Sequence, residues 1–403
     1  MIRLDRVSLG YRGRPVVEDV SLQVGEGEFT AVIGPNASGK TTFLKTLVGL
    51  LKPLAGTVYL DCRRVSEMDV GELARSAGVV LTGDVRPGLL TVSEVVALGR
   101  YPYTGLTGSL RPEDREEVYA ALRDVGIQHL ADIPYNILSD GQKQKAMVAR
   151  ALAQKPKALI LDEPITYLDP RARVELLLTL RCICRQRGIA VVASLHEVEL
   201  ALRIADRLLV VAAGRVKAYD SPEEFVEEGG PLELYEFGED AGFSAETLTV
   251  EAKTKNQTGF KVFIIAGAGR GAPVYRMLTR LDIPFTTGIL HEGDLDYHIA
   301  KTLGGEIIAE KAFHPIGPEK LEQALSKAAE TDATIYVTHP VGPLNAANTV
   351  LAERLTSMGL PTVVYGDASV RRCWVRVWRL RELAAVLKQF EKKTAMRPLV
   401  EQL

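Results

Sequence analysis

The sequence predicts an α/β protein of two domains, and three observations predict it. Gly34-Pro35-Asn36-Ala37-Ser38-Gly39-Lys40-Thr41-Thr42 fits G-x-x-x-x-G-K-[ST] between a strand-like run, Glu28 to Ile33, and a helix-like run, Phe43 to Leu50. Ala158-Leu159-Ile160-Leu161 and Ile189-Ala190-Val191-Val192-Ala193 are near-continuous apolar runs, as parallel strands covered on both faces require. A second series of strand and helix patterns starts at Phe260. The chain has 403 residues, more than a single core usually holds.

Each segment has its own signals. Residues 1–60 alternate short apolar runs with turns at Gly10, Gly13, Pro15, Gly25 and Gly27, as expected of a small antiparallel sheet leading into the glycine loop. Residues 90–155 read as helices, Ser93 to Leu98, Pro112 to Val125 and Asp140 to Gln154, with acidic or hydroxyl start signals. Strands and helices then alternate, with the helix Pro170 to Gln186 between the two apolar runs. From Ser221 to Gln257 the chain is acidic, dotted with glycine and weakly periodic. These shifts divide it into a first domain, 1–250, a linker, 251–259, and a second domain, 260–403.

In the second domain the strands are Phe260 to Ile265, Pro284 to Leu290, Glu306 to Ala309, Thr334 to Thr338 and Pro361 to Tyr365. Helices Pro273 to Leu281, Asp294 to Leu303, Pro318 to Ala329 and Asn345 to Met358 separate them, which predicts a Rossmann-like doubly wound sheet. Arg371 to Arg379 reads as a last, solvated edge strand with one charged, aromatic face.

Composition narrows the function. A net charge of −2 gives no global attraction to nucleic acid or anionic lipid. Cys62, Cys182, Cys184 and Cys373 form no metal or disulfide framework and read as thiols of a reducing compartment. No run of about 18 uncharged apolar residues occurs, so a membrane span would have to come from another subunit. The strand-like Ile2-Arg3-Leu4 leaves no room for a secretory leader.

The glycine loop carries the first chemistry. Its backbone N–H groups can curl around phosphate oxygens, with the helix N-terminus adding its positive end. Lys40 can reach β- and γ-phosphates, and Thr41 can ligate Mg²⁺. The run 158–161 ends in Asp162-Glu163, where the first acid can hold Mg²⁺ through water and the second can polarise an attacking water. Leu138-Ser139-Asp140-Gly141-Gln142 opens a helix, with Ser139 as N-cap.

Together these motifs resemble those of ABC-type ATPase subunits over about residues 1–225, in the order that family has them. The resemblance implies a P-loop NTPase of ABC type with a mixed sheet core, an N-terminal antiparallel sheet and a helical subdomain. It implies Mg²⁺ and ATP as cofactors, with residues 34 to 42 around the phosphates and Tyr11 stacked on adenine. Glu163, His196 and Lys40 become the catalytic group, and Thr41, Asp162 and Thr82 the metal side. In that family two copies pack head to tail. Ser139, Gly141 and Gln142 would therefore face the ATP of a second copy, and Asp169, in Tyr167-Leu168-Asp169, would lie at the seam.

Two positions depart from the pattern. Asp140 stands where the signature has its first glycine, and at a helix start it can point away from ATP. Thr82 stands where the family has a glutamine reaching Mg²⁺ and the attacking water. It is about two bonds shorter, so a bridging water or Asp84 would have to serve.

Ala97-Leu98-Gly99-Arg100-Tyr101-Pro102 to Gly108 is similar to the importer subgroup for iron-siderophore, haem and cobalamin. That similarity implies a permease docking surface near Leu106, an integral-membrane permease, a homodimer at the cytoplasmic face, and indirectly a periplasmic or extracellular binding protein. No nucleic-acid partner is expected. The alternative is a soluble ABC-type ATPase working as a regulatory or nucleic-acid-associated switch without a permease.

In the second domain Gly267, Gly269 and Ala272 satisfy G-x-G-x-x-[GA] after a strand, so Gly267, Gly269 and Gly271 could receive a phosphate or carboxylate ligand. Glu292 or Asp294 could take a ribose hydroxyl. His291, His314 and His339 follow strand ends but make no metal pattern. Tight glycine packing explains the loop equally well. A regulatory module sensing the imported compound or a nucleotide is the working expectation.

Overall fold

The computed structural model describes residues 1–83, 87–104, 108–235, 241–253, 259–367 and 373–400. Asp84, Leu106, Arg371, Arg372 and most of the expected linker fall outside the described residues. The chain forms two compact units, Met1–Tyr235 and Glu236–Leu403.

In the first unit, strands β1 (Ile2–Tyr11), β2 (Arg14–Val24), β3 (Phe29–Ile33), β4 (Ala55–Leu60), β5 (Arg63–Arg64) and β6 (Ala77–Val80) precede the helical segment. After it come β7 (Ala158–Leu161), β8 (Ala190–Ser194), β9 (Arg207–Ala212) and β10 (Arg215–Tyr219). One sheet has the order β2-β1-β4-β5 and is antiparallel. The other runs β10-β9-β3-β8-β7-β6, parallel except where β10 pairs with β9. Every residue of β3, β7 and β8 is buried, which is why these strands read as unbroken apolar runs. The parallel order sets the carboxyl ends of β3, β7 and β8 side by side, so the glycine loop, Asp162-Glu163 and His196 emerge together.

The helices Val92–Ala97, Pro112–Asp124 and Asp140–Leu152 form the core of the helical subdomain. Between the first two, Leu98–Tyr103 is a 3₁₀ stretch. Gly99 is obligatory there, because a Cβ would lie 2.1 Å from the Arg150 carbonyl oxygen. Arg100 turns inward: its Nε donates to Asp114 Oδ1 at 2.9 Å, its Nη1 to the Ala153 carbonyl at 2.7 Å, and it lies over the Tyr103 ring. Half of the segment that resembles a docking loop is thus internal scaffolding, while Leu98 and Tyr101 remain exposed.

The second unit begins earlier than the sequence suggests. A hairpin of β11 (Ala241–Ser244) and β12 (Thr249–Ala252) lies in the stretch that reads as acidic and weakly periodic. It is tied to the second unit by Glu251 with Arg276, and by Glu246 Oε1, 2.6 Å from His298 Nδ1. Strands β13 (Val262–Ile265), β14 (Phe285–His291), β15 (Glu306–Glu310), β16 (Ala333–Val337), β17 (Thr362–Tyr365) and β18 (Val375–Val377) then form a parallel sheet. Its order is β15-β14-β13-β16-β17-β18, the doubly wound arrangement that reverses direction between β13 and β16. A final helix, Leu380–Val400, which the sequence reading does not anticipate, buries Leu383 and Leu387 in one of its two cores.

The Arg100–Asp114 pair is 7% and 5% exposed, so removing one partner strands a buried charge. Arg100→Ala is expected to lower stability to urea by about 3–5 kcal/mol. Replacing both residues by leucine should recover most of that. A single-variant loss below about 1 kcal/mol, the range of an exposed pair, would contradict the assignment.

Candidate active site

The glycine loop is shaped by contacts that allow no side chain. A Cβ on Gly34 would lie 2.1 Å from the Val211 carbonyl oxygen. Lys40, the first residue of the helix Lys40–Leu47, is buried, and its Nζ donates to the Gly34 and Pro35 carbonyls at 2.8 and 2.9 Å. Burial lowers its pKa, and the carboxylates of Glu163 and Asp162 oppose that shift. The Ser38 hydroxyl is buried without a hydrogen-bond partner among the described residues, an orphan that a phosphate oxygen would satisfy.

Asp162 gathers three hydroxyls. Thr41 Oγ1 and Thr82 Oγ1 donate to its Oδ2 at 2.9 and 3.0 Å, and Ser194 Oγ donates to Oδ1 at 2.8 Å. Two threonine hydroxyls and a carboxylate are hard oxygen donors, a set that fits Mg²⁺. Thr82, shorter than glutamine, reaches the acid directly.

Ser194 also accepts the Glu163 amide at 2.8 Å, so one hydroxyl fixes both acids. Sequence reasoning misses Ser194, because a serine closing an apolar strand carries no signal of its own. Glu163 has a left-handed backbone, φ 52°, which turns its side chain out of the strand direction. Its Oε1 lies 2.5 Å from His196 Nε2, and its Oε2 accepts from Thr166 Oγ1 at 3.2 Å.

Asn36, Ala37, Gly39, Lys40, Thr41 and Thr42 line a cleft of about 440 Å³ with Glu163, His196 and Val16. Val16 also borders a second cleft formed by Tyr11, Arg12, Arg14 and Pro15, so the two are neighbours. Tyr11 is half exposed at the end of its hairpin, with its hydroxyl 3.5 Å from Thr42 Oγ1.

Ser139, Gly141, Gln142 and Asp169 line neither cleft. The Ser139 hydroxyl accepts the Gln142 amide at 3.3 Å, while Gln142 Oε1 accepts the Ser139 amide at 3.0 Å, a reciprocal cap on the helix Asp140–Leu152. Asp169 caps Pro170–Arg187 through the Ala172 amide at 3.0 Å. Asp140 is 72% exposed, 3.7 Å from Lys143, and borders a groove shared with Thr82, Glu163 and Tyr167. No helix among the described residues is long and apolar enough to cross a membrane.

Residues 17–166 match the family described as ABC transporter. The ABC transporter ATP-binding protein MJ0873 of Methanocaldococcus jannaschii is 40% identical over 280 residues, 70% of this chain and 96% of that protein. This chain belongs to the ATP-binding subunits of ABC transporters. It is an ATPase subunit of that family, with the P-loop fold the motifs imply. The ferric enterobactin transport ATP-binding protein FepC of Escherichia coli is 39% identical over 225 residues, 56% of this chain and 83% of its own. The cobalamin import ATP-binding protein BtuD of Halobacterium salinarum is 29% identical over 368 residues, 90% of each chain. Residues 285–391 match a separate family, described as the MJ0874 family.

The glycine loop of the second unit behaves differently from that of the first. Asp294 accepts the Ala268 and Gly269 amides at 2.8 and 3.3 Å, and Asp296 accepts those of Gly271 and Ala272 at 3.0 Å each. The donors that would hold a phosphate therefore hold the chain's own carboxylates. Asp294 anchors the loop through both of its oxygens. Burial pushes the Asp296 pKa to about 6 from 3.8, against the pull of the Gly271 amide.

A raised folded-state pKa stabilises most below the unfolded value, and that contribution is lost as pH climbs through about 6. Relative to the parent chain, Asp296→Asn is expected to gain stability between pH 4 and pH 7.5, by up to about 3 kcal/mol. Urea unfolding of the second-unit transition at both pH values reads it. A difference that does not change with pH would refute it.

Proposed function

We propose that this chain energises import of a metal chelate, of the iron-siderophore, haem or cobalamin class, through an integral-membrane permease. It works as a homodimer at the cytoplasmic face of the membrane, served indirectly by an extracellular or periplasmic binding protein. One observation carries the dimer: Ser139, Gly141, Gln142 and Asp169 stand apart from the phosphate cleft that Lys40, Glu163 and His196 share. A γ-phosphate in that cleft meets a serine–glycine turn only if a second copy supplies it. The relatives named for ferric enterobactin and cobalamin support the cargo class.

Residue roles follow from the contacts. Tyr11 offers a face for the base beside the phosphate cleft, and residues 34 to 42 wrap the phosphates. Lys40 exchanges its loop carbonyls for phosphate oxygens, and its charge persists because both acids lie close. Thr41, Asp162 and Thr82 would hold Mg²⁺, which neutralises charge on the β- and γ-oxygens. Glu163 orients a water in line with the γ-phosphorus and takes its proton as the new P–O bond forms and the bond to the β-bridging oxygen breaks. His196 fixes Glu163 through the 2.5 Å contact and lines the same cleft, from which it would sense a γ-phosphate oxygen.

Glu163→Gln should retain Mg²⁺-ATP, lose turnover by about 10²–10⁴-fold and accumulate as a dimer by light scattering. A variant that stays monomeric at saturating Mg²⁺-ATP, and binds no integral-membrane protein, would overturn the proposal. Thr82 hydrogen-bonds the acid and is about two bonds shorter than glutamine, so Thr82→Gln is expected to raise ATP turnover several-fold. An unchanged or lower rate in a phosphate-release assay would count against the role given to position 82.

A further inference from the structure

The cleft that adjoins the phosphate site has walls with one kind of charged side chain. It measures about 520 Å³ and is lined by Tyr11, Arg12, Arg14, Pro15 and Val16. Tyr11 ends β1 and Arg14 opens β2, with Arg12-Gly13 as the turn between them. Both turn residues have a left-handed backbone, φ 51° and 76°, as a two-residue hairpin turn of matching twist requires. Tyr11 and Arg14 are register partners in this antiparallel pair. Directly opposed residues send their side chains to the same face, with Cβ atoms about 5 Å apart, so the Arg14 stem rises beside the Tyr11 ring. Tyr11 is half exposed, and both arginines are exposed. Neither guanidinium has a hydrogen-bond or ion-pair partner among the described residues.

The donor pattern of this lining restricts what it can read. A guanidinium donates and never accepts. The one side-chain oxygen in the lining, the Tyr11 hydroxyl, lies 3.5 Å from Thr42 Oγ1, and a base stacked on the ring meets its face rather than its hydroxyl. Stacking does not choose among bases, because every base has a π-face. The hydrogen-bonding edge therefore decides, and purines differ there. Guanine sets two acceptors, O6 and N7, side by side, which the planar fork of an arginine meets with two parallel bonds. Adenine sets its N6 amine, a donor, beside N7, so an arginine gains one bond there and leaves the amine unmatched. That amine keeps its water in a cleft whose walls are exposed, so adenine is admitted without being preferred.

We propose that Arg14, with Arg12 beside it, reads the purine base, and that this subunit uses GTP at least as readily as ATP. The inference rests on the reading that seats the base on Tyr11, and it names the base that seat favours. The arginines act on binding, whereas the reacting groups Lys40, Glu163 and His196 line the other cleft. Loss of the fork therefore appears in KM rather than kcat.

The full chain is assayed for phosphate release with ATP, GTP and ITP, whose hypoxanthine keeps O6 and N7 but lacks the 2-amino group. Expected is a GTP-to-ATP ratio of kcat/KM of at least about one, with ITP within about twofold of GTP. Arg14→Ala should lower that ratio about fivefold, the lower end of what one bidentate contact discriminates. Arg14→Lys, which keeps the charge but not the fork, should lower it as far. A parent ratio clearly below one, or a ratio that both Arg14 variants leave unchanged, overturns the proposal. An equal loss for all three nucleotides does so too, because it places the arginines on the triphosphate. Tyr11→Ala tests the premise. If it raises KM for ATP and GTP while the arginine variants leave the ratio alone, only the base-reading role fails. If it alters neither, the seat on Tyr11 fails as well.

Discussion

The Asp162 carboxylate is the point on which the catalytic half of this protein turns. It ends β7, yet its two oxygens are held by a hydroxyl from the phosphate-loop helix, one from the segment after β6 and one from the end of β8. Three otherwise separate chain segments are fixed to one atom group. Because Ser194 also receives the Glu163 amide, the positions of the two neighbouring acids cannot vary independently. A carboxylate that accepts three hydroxyls in a buried site is a stronger clamp than neutral contacts of the same number.

The same economy of hydrogen bonds explains why the signature turn is inert within one chain. Ser139 and Gln142 cap each other, and Asp169 caps the following long helix. These bonds hold the turn rigid while leaving backbone N–H groups at a helix start facing outward, the kind of surface to which an anion binds. Rigidity in each copy makes closure of two copies a rigid-body event, which suits a subunit whose output is motion passed to another protein.

The two glycine loops show how little a motif says without its surroundings. Both follow a buried strand and precede a helix. In the first unit a lysine and an unpartnered serine wait around the loop; in the second, two aspartates from the segment after β14 have already taken the amides. Carboxylates from the segment after the next strand take the place a phosphate would have, and His339 Nε2 is an acceptor without a partner among the described residues.

By itself the sequence determined the nucleotide fold, the order of its motifs and the doubly wound second domain, because buried parallel strands must be apolar throughout and phosphate loops must be glycine-rich. Tyr11, residues 34 to 42, Asp162, Glu163 and His196 were singled out by residue type and order, and the fold brings Lys40, Glu163 and His196 to one cleft. The role of Ser194, the inward turn of Arg100, the β11–β12 hairpin in an acidic stretch and the capture of the second loop by Asp294 and Asp296 were decided by tertiary structure alone. Each depends on which distant groups pack together, and hydrogen-bond partners brought in from other strands leave no periodic trace along the chain.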